Sequence, residues 1–296
     1  MSDFQKGLTI FTPTYNREKT IVRLYNSLVQ QSNDYFEWLI VDDGSTDGTR
    51  RLIEEFQAQK KLRIRYIYKE NGGKHTALNV GMREANFEYF VCVDSDDYLE
   101  SGAVDILLRF IEQEKPDGVI AYKKDDKNKS LIGDAFPEQK SESTLFELIN
   151  TFHCIGDRTL VFKTELIRDI FIPEPCDVKF FPETYIYDKF DLKHRCKLLR
   201  ECICICEYMD EGYSANFRKL MIDNAISMKW FYAERIDFPS SFVQRFKSAF
   251  RYDAYSMLAK SQEGKYRGRH KLMLIVAFPV GLIMFILYSR YKRSFE

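Results

Sequence analysis

The first hundred residues alternate between short apolar runs and segments with helical periodicity. Four runs of four or five residues are rich in β-forming side chains, at 8–12, 38–41, 64–68 and 89–93. Between them, apolar residues recur at helical spacing in 21–28 and again in 52–56. Strands that alternate with helices predict βαβ units, and therefore an α/β fold with a mostly parallel central sheet flanked by helices.

Each predicted strand is followed directly by a cluster of polar residues. These clusters lie at 13–17, 42–49, 71–79 and 94–97. In open α/β sheets, ligands bind at the carboxyl ends of the strands. Four polar clusters at four such ends therefore predict a single site.

The alternation weakens after Ala103. The pattern predicts a helix to about Glu114, a strand near 119–122, a mixed segment from about 145 to 214, and aromatic-rich helices from 224 to about 258. The predicted segments are an α/β domain at 1–215 with halves 1–105 and 106–215, a helical extension at 216–270, and an apolar helix with a basic tail at 271–296.

Seventeen consecutive apolar, aromatic, glycine or proline residues occupy 272–288. A helix of that length reaches roughly 26 Å, just short of the ~30 Å hydrocarbon core of a bilayer. Pro279 and Gly281 are expected to bend it, and basic residues flank both ends, so the positive-inside rule gives no orientation. We interpret the segment as a membrane-associating helix that is bent, re-entrant or interfacial, with a buried core helix as the alternative.

Composition limits the partners. The chain has 296 residues, of which 45% are hydrophobic and 30% charged, so it can bury a core. Lysine plus arginine equals aspartate plus glutamate at 44 each, and this balance provides no basic excess for holding a nucleic-acid backbone. A nucleic acid is therefore not an expected partner.

Three of the seven cysteines, Cys202, Cys204 and Cys206, alternate along one predicted strand. Their period of two places the thiols on one face, a spacing that suits neither a disulfide nor the usual zinc pair. We expect reduced thiols, and residues 1–7 lack the pattern of a secretory signal. Both features favour a cytoplasmic location, with association at the cytosolic face of a membrane.

The cluster at 94–97 reads Asp-Ser-Asp-Asp and follows a strongly apolar strand. Carboxylates this close to one another are unfavourable unless a cation joins them, and oxygen ligands suit Mg²⁺ or Mn²⁺. The cation would bridge the carboxylates to a diphosphate. The alternative is a plain turn that closes the strand, because aspartate and serine favour turns in general.

Two other clusters carry chemistry of the same kind. Asp42 and Asp43 follow the second predicted strand, where a carboxylate can accept hydrogen bonds from a base or a ribose. In 72–74, Gly-Gly-Lys combines glycines that let the backbone approach a ligand with a cation that can neutralise phosphate. Neither GxxxxGK[ST] nor GxGxxG is present, which disfavours kinase-type and dinucleotide-binding interpretations.

The order and spacing of these clusters resemble glycosyltransferase family 2, whose members transfer sugars from nucleoside diphosphates and have the Rossmann-like GT-A fold. The matching segments are 12–17 (Thr-Pro-Thr-Tyr-Asn-Arg), 41–49, 71–79 and 94–97. The resemblance covers about the first 105 residues. It implies a donor-binding first half and an acceptor-binding second half of the 1–215 domain.

The resemblance also implies residue roles. Tyr15 would stack on uracil, Asp43 would bond the base, and Lys74 would face the base or the phosphates. The implied donor-site residues are Pro13, Tyr15, Asp43, Lys74, Asp94 and Ser95, with Asp96 and Asp94 as ligands of Mn²⁺ or Mg²⁺. The segment 208–214 looks like the loop that closes over the diphosphate in relatives, with Tyr213 and Ser214 near the donor.

Enzymes of this family are typically inverting and need a carboxylate base from the second half. Relatives carry Glu-Asp there, and this chain has no such pair. The best candidate is Glu183, which lies among aromatic residues before a predicted helix, with Asp157 and Asp188 as rivals. Glu183 could equally be an acid favoured by the helix dipole.

The resemblance, taken with these patterns, implies an inverting, metal-dependent glycosyltransferase. The expected donor is a UDP-sugar and the expected acceptor a saccharide or lipid-linked hydroxyl, consistent with cell-surface polysaccharide assembly. Two alternatives remain open. A nucleotidyltransferase would carry a glycine-rich basic loop after its first strand, and a binding module would keep the nucleotide pocket but lack a base.

Overall fold

The computed structural model describes residues 4–207 and 217–294. Its strands are β1 (Gln5–Thr14), β2 (Phe36–Asp42), β3 (Ile64–Tyr68), β4 (Phe87–Cys92), β5 (Tyr98–Leu99), β6 (Gly118–Asp125), β7 (Glu142–Ser143), β8 (Arg158–Lys163) and β9 (Cys196–Cys206). Its helices are α1 (Ile21–Val29), α2 (Thr49–Ala58), α3 (Lys74–Glu84), α4 (Ala103–Glu114), α5 (Leu145–Asn150), α6 (Thr164–Ile167), α7 (Thr184–Asp191), α8 (Phe217–Asp223), α9 (Ala225–Asp237), α10 (Phe242–Ala259) and α11 (Lys271–Arg293). The strands and helices predicted for the first 122 residues are all present.

One mixed sheet carries the fold, in the order β3-β2-β1-β4-β8-β6-β9-β5, with β7 on β9. Its first four strands are parallel, and Ile10 of β1 aligns with Trp38 on one side and Val91 on the other. The carboxyl ends of these strands therefore lie along one edge, as the sequence predicted. β8 then joins β4 in the antiparallel direction, and β6 joins β8 likewise, so the second half of the sheet departs from the parallel pattern.

The crossover helices cover the sheet with the faces that the periodicity predicted. Ile21, Leu24, Tyr25 and Leu28 of α1 are all buried. In α2 the same holds for Ile53 and Phe56. The ring of Phe56 stacks on that of Tyr25 with centroids 3.9 Å apart, and both rings lie near Trp38. This aromatic contact fixes α1 and α2 above β2, which positions the loops that precede them.

The chain divides into two compact units. Unit 1 comprises residues 1–171 and 186–208, and unit 2 comprises 172–185 and 209–296. The segment with Glu183 thus groups with the C-terminal helices. The predicted boundary at 215 and the loop with Tyr213 and Ser214 fall outside the described residues.

Unit 2 contains the predicted apolar helix as α11, which continues through Pro279. It packs with α9 and α10 around a small core that includes Ile236, Ala249 and Ala277. Length and composition would allow α11 to cross a membrane, and 11% of its most apolar stretch is buried. Such exposure does not fit the core helix of a soluble domain, which was the alternative interpretation.

Candidate active site

The loops after β1 and β2 are joined by hydrogen bonds. The backbone N–H of Asn16 donates to Ser45 Oγ at 2.9 Å, and the N–H of Thr46 donates to Asn16 Oδ1 at 2.8 Å. Asn16 has φ 53°, in the left-handed region that asparagine tolerates better than most residues. Tyr15 precedes it and is 46% exposed, while Pro13 is buried within β1. The Tyr15 ring is therefore available for stacking.

Asp43 organises the loop that leads into α3. The residue is 3% exposed, and its carboxylate accepts hydrogen bonds from Lys69 Nζ at 2.7 Å and from the N–H groups of Gly72 (2.9 Å) and Gly73 (2.7 Å). Asn71 Nδ2 donates to it as well, at 3.2 Å. Gly73 needs φ +97°, a conformation open to glycine at no steric cost. Asp43 thus acts on this loop and fixes the start of α3, where Lys74 lies.

The Asp-Ser-Asp-Asp turn at 94–97 begins just beyond β4. The N–H of Asp97 donates to the carbonyl of Asp94 at 3.0 Å, which closes the turn. The side chains of Asp94 and Asp96 are 37% and 26% exposed, whereas Ser95 and Asp97 are buried. The turn therefore presents two of its three carboxylates to the surface.

Cationic side chains from other parts of the chain contact this turn, two of them at its carboxylates and one at its backbone. Lys74 Nζ at the start of α3 lies 2.6 Å from Asp94 Oδ1, and Arg17 Nη2 lies 3.6 Å from Asp96 Oδ2. Arg23 of α1 donates to the carbonyl of Asp96 at 2.8 Å. The four predicted clusters thus do converge, as the strand ends implied.

Asp94 and Asp96 differ in how far nearby positive charge compensates their carboxylates. Burial acts to raise the pKa of Asp94, but the positive charges of Lys74, Lys123 and Arg17 together outweigh it, and the pKa is lowered. The pKa of Asp96 is raised, first by burial and then by the charge of Asp94, and Arg17 offsets only part of this. Negative charge at Asp96 is therefore incompletely compensated by the protein.

This arrangement fits a divalent cation. Asp94 and Asp96 offer hard oxygen donors on one turn, the ligand type that Mg²⁺ and Mn²⁺ prefer. The raised pKa of Asp96 marks a position where further positive charge would be stabilising. Lys74 and Arg17 lie beside the same turn, so a diphosphate there would meet two cationic side chains.

The third carboxylate has a different environment. Asp97 Oδ2 lies 3.0 Å from Lys123 Nζ and 3.0 Å from the thiol of Cys206, with Cys204 Sγ at 3.8 Å. The ligand atoms of Asp97, Cys204 and Cys206 lie within 4.8 Å of one another, as in a metal site. The ammonium of Lys123 already balances the charge of Asp97, so we interpret this cluster as a buried ion pair that anchors the turn.

The three candidate bases lie in different settings. Asp157 is exposed in the loop before β8, and Asp188 is 8% exposed on α7. Glu183 is half-buried immediately before α7, as predicted, and belongs to unit 2. At the end of α7, burial raises the pKa of Asp191 to about 7, and this carboxylate accepts a hydrogen bond from the N–H of Phe146 at 2.9 Å.

The sequence pattern assigned no role to Arg17, Arg23, Lys69 or Lys123. Arg17 ends the 12–17 motif, and its place after a strand end was a usable signal. The other three act across 26 to 73 residues of chain, and their local sequence carries no sign of their partners.

Comparison with known proteins identifies the family. The sequence model described as Glycosyl transferase family 2 matches residues 9–169, more than half of the chain. The chain therefore belongs to glycosyltransferase family 2.

Curated relatives include TarS of Staphylococcus aureus, a poly(ribitol-phosphate) β-N-acetylglucosaminyltransferase. It is 31% identical over 172 residues, which are 56% of this chain and 29% of TarS. Chondroitin synthase of Escherichia coli is 40% identical over 101 residues, which are 34% of this chain and 15% of the synthase. The chain thus matches less than a third of the length of either relative.

Solved structures extend the likeness to nearly the whole chain. S. aureus TarS 1–349 in complex with UDP-GlcNAc matches with a TM-score of 0.65 at 22% identity, covering 95% of this chain and 82% of that one. A mannosyltransferase of Pyrobaculum calidifontis in complex with GDP-Man and Mn²⁺ gives 0.56 at 18% identity, covering 98% and 84%. The predicted GT-A fold is confirmed.

The buried ion pair of Lys123 and Asp97 should be needed for stability. Lys123→Met leaves Asp97 buried without its cation, which typically costs about 3–5 kcal/mol. We expect the free energy of unfolding in urea to fall by that order. The neighbouring change Lys124→Met is the control, because Lys124 is 32% exposed and its pair with Glu100 is worth about 1 kcal/mol or less.

Adding Asp97→Asn to Lys123→Met removes the buried charge and should restore part of the lost stability. Equal stability of Lys123→Met and Lys124→Met would contradict the anchoring role of this pair.

Proposed function

We propose that the protein transfers a sugar from a nucleoside diphosphate to a hydroxyl acceptor. The observation that carries this proposal is the incompletely balanced carboxylate of Asp96 at the edge where Lys74, Arg17 and the exposed Tyr15 also lie. Family membership supports it. The donor is a UDP-sugar in this proposal, since a structure of TarS holds UDP-GlcNAc.

Six residues have a specific role in this scheme. Tyr15 stacks on the base, and Lys74 and Arg17 bind the diphosphate, where they stabilise the charge of the departing nucleoside diphosphate. Asp94 and Asp96 would hold a divalent ion, which supplies further positive charge to the leaving group. Asp43 contributes through the loop it fixes, since four protein donors already bind its carboxylate.

Transfer with inversion needs one proton acceptor. In the proposed reaction Glu183 takes the proton of the acceptor hydroxyl, the hydroxyl oxygen bonds to the anomeric carbon, and the bond from that carbon to the diphosphate oxygen breaks. Glu183 is favoured because it is half-buried in an aromatic segment, in which Phe181 and Tyr185 pack edge to face at 5.3 Å. Asp188 and Asp157 are the alternatives.

The acceptor in this proposal is a saccharide or lipid-linked hydroxyl, and the protein works at the cytosolic face of a membrane. The exposed apolar side of α11 and the basic residues at both of its ends support that location. A lipid-linked acceptor would then be held at the same surface as the enzyme.

The donor site is tested by nucleotide binding. A ligand that binds only the folded state stabilises it by about 2.7 kcal/mol at one hundred times its Kd. We expect UDP with Mn²⁺ to raise the Tm of the wild type more than GDP, TDP or CMP does. Asp96→Asn should abolish the manganese-dependent part of this shift, with the exposed Asp34→Asn as the charge-matched control.

A manganese-dependent shift that survives in Asp96→Asn would overturn the metal assignment. A wild-type Tm that none of the four nucleotides raises would overturn the donor site.

The base is tested by three isosteric changes. Glu183→Gln should lower transfer by roughly 10²–10⁴-fold, the usual contribution of a general base, because it cannot accept the proton. The Tm shift with UDP and Mn²⁺ should stay at the wild-type value, which separates loss of the base from loss of the fold. Asp157→Asn and Asp188→Asn serve as matched comparisons.

If Glu183→Gln retains activity and either Asp157→Asn or Asp188→Asn loses it, the residue changed in the inactive variant is the base instead. Loss in none of the three would contradict the proposal of a carboxylate base among them.

Membrane association is tested by the basic tail. Basic residues near an anionic surface each contribute about 1 kcal/mol. Changing Arg290, Lys292 and Arg293 to Gln should therefore weaken binding to phosphatidylglycerol vesicles by about 3 kcal/mol, more than a hundredfold, in a flotation assay at low salt.

The charge-matched control changes Arg50, Arg51 and Lys61, which are exposed and far along the chain. Equal binding by the two triple variants would argue against the tail as a membrane contact. Deletion of α11 is the poorer test, because Ala277 belongs to the core of unit 2.

A further inference from the structure

The two sides of α11 differ sharply. One side is apolar and exposed from the second residue of the helix to the turn before its basic tail. Its exposed large side chains are Leu272, Ile275, Val276, Phe278, Val280, Leu282, Ile283, Ile286 and Leu287. Contiguous apolar exposure of this extent is uncommon on soluble proteins and indicates an interaction surface.

The other side of α11 lies against α10. Ala277 is fully buried in the core shared with Ala249 of α10, and the rings of Tyr255 and Tyr288 lie 5.3 Å apart. A Cβ added to Gly281 would come within 2.7 Å of Asp253 Cβ, so the two backbones approach closely there. Contact from Met273 to Tyr288 follows the helix for about 22 Å at 1.5 Å per residue.

α10 is not a helix that hydrocarbon would tolerate. Over the stretch in contact with α11 it carries Lys247, Arg251 and Asp253. Asp253 is 9% exposed, and its Oδ2 has no hydrogen-bond partner in the part of the chain that the structure describes. If α11 crossed the bilayer in this packing, all three ionisable groups would enter the hydrocarbon, where such groups are costly.

A third helix adds to this cost. α9 packs on α10, with Tyr232 stacked on Tyr255 at 5.8 Å. α9 carries Lys229, Glu234 and Arg235. The three helices share one core. If α11 spanned a membrane, either the charged residues of α9 and α10 would enter the hydrocarbon or the contacts of α11 with these helices would break.

Charge at the ends of α11 identifies the occupant of its exposed side. Arg267, Arg269 and Lys271 precede the apolar run, and Arg290, Lys292 and Arg293 follow it. One cluster of basic residues thus lies at each end of a single apolar surface. This arrangement matches a bilayer with anionic headgroups, provided that both clusters meet the same leaflet.

We infer that α11 lies in the plane of the membrane surface, with its exposed apolar side in the lipid of one leaflet and α10 on the aqueous side. This inference rests on the membrane association proposed above and adds the mode of binding. The helix pair α10 and α11 then acts as one amphipathic unit. Both ends of α11 stay on the same side of the bilayer.

Cysteine accessibility in the whole 296-residue chain tests this arrangement. In a Cys176→Ser background, which removes the exposed native thiol, single cysteines are placed at Gln262 and Ser294, before and after α11. Both changes leave the charge unaltered. Right-side-out and inside-out membrane vesicles from an expression host are then treated with a membrane-impermeant maleimide, with labelling measured before and after detergent.

We expect both cysteines to react in the same vesicle orientation and neither in the other. Ile283→Cys should react only after detergent, and Lys247→Cys on α10 should react together with the two ends. A spanning helix would instead expose Gln262→Cys in one orientation and Ser294→Cys in the other, which would overturn the in-plane mode while leaving membrane association intact.

Protection of Lys247→Cys before detergent would also overturn it, because α10 would then be in the lipid. Absence of the protein from the membrane fraction would contradict the association itself. If that soluble protein is a dimer in which Ile283→Cys is protected, the apolar side is an interface between two copies.

Discussion

The carboxylates gathered at one edge of the sheet can lie there only because the protein compensates their charge. Asp43 has Lys69 and two backbone N–H groups, Asp97 has Lys123, and Asp94 has Lys74. Among the described residues, Asp96 meets one cationic side chain, Arg17, at the longer distance of 3.6 Å, and its pKa is raised, first by burial and then by the charge of Asp94. Asp43, Asp94 and Asp97 thus have close partners that compensate their charge and join neighbouring segments. The charge of Asp96 is less compensated and remains available to a ligand.

The residues of one motif also differ in their surroundings. In the turn at 94–97, alternate positions face opposite ways: Ser95 and Asp97 are buried, and Asp94 and Asp96 face out. The buried ion pair of Asp97 with Lys123 fixes the backbone of the turn on its inner side. Arg23 fixes it as well, through a hydrogen bond to the carbonyl of Asp96. The outward carboxylates are thereby preorganised, which is what charge stabilisation in a transition state requires.

The packing of the C-terminal helix changes how its apolar sequence is interpreted. By length and composition, α11 could span a membrane. Its contact with α10, a helix that carries Lys247, Arg251 and Asp253, makes one side of it unavailable to lipid. The proposed membrane-binding element is therefore better described as a pair of helices with one apolar side.

Local periodicity determined most of the first half of this protein. The strand at 64–68 has the predicted bounds because four of its five residues favour β structure, and the helix at 103–114 has them because Val104, Leu107 and Ile111 recur at helical spacing and are buried. The carboxyl ends of the parallel strands are enough to bring the polar clusters to one edge. Membership of glycosyltransferase family 2 follows from the same residues.

Only the tertiary structure decided which partner each charge has and where the second half joins the sheet. The pairs Lys69–Asp43 and Lys123–Asp97 join residues 26 positions apart, and Arg23 reaches Asp96 across 73. β8 enters antiparallel beside β4, although nothing in its own sequence specifies that direction. Periodicity reports which side of an element is buried, whereas the compensation of a buried charge depends on atoms that folding brings to within about 3 Å.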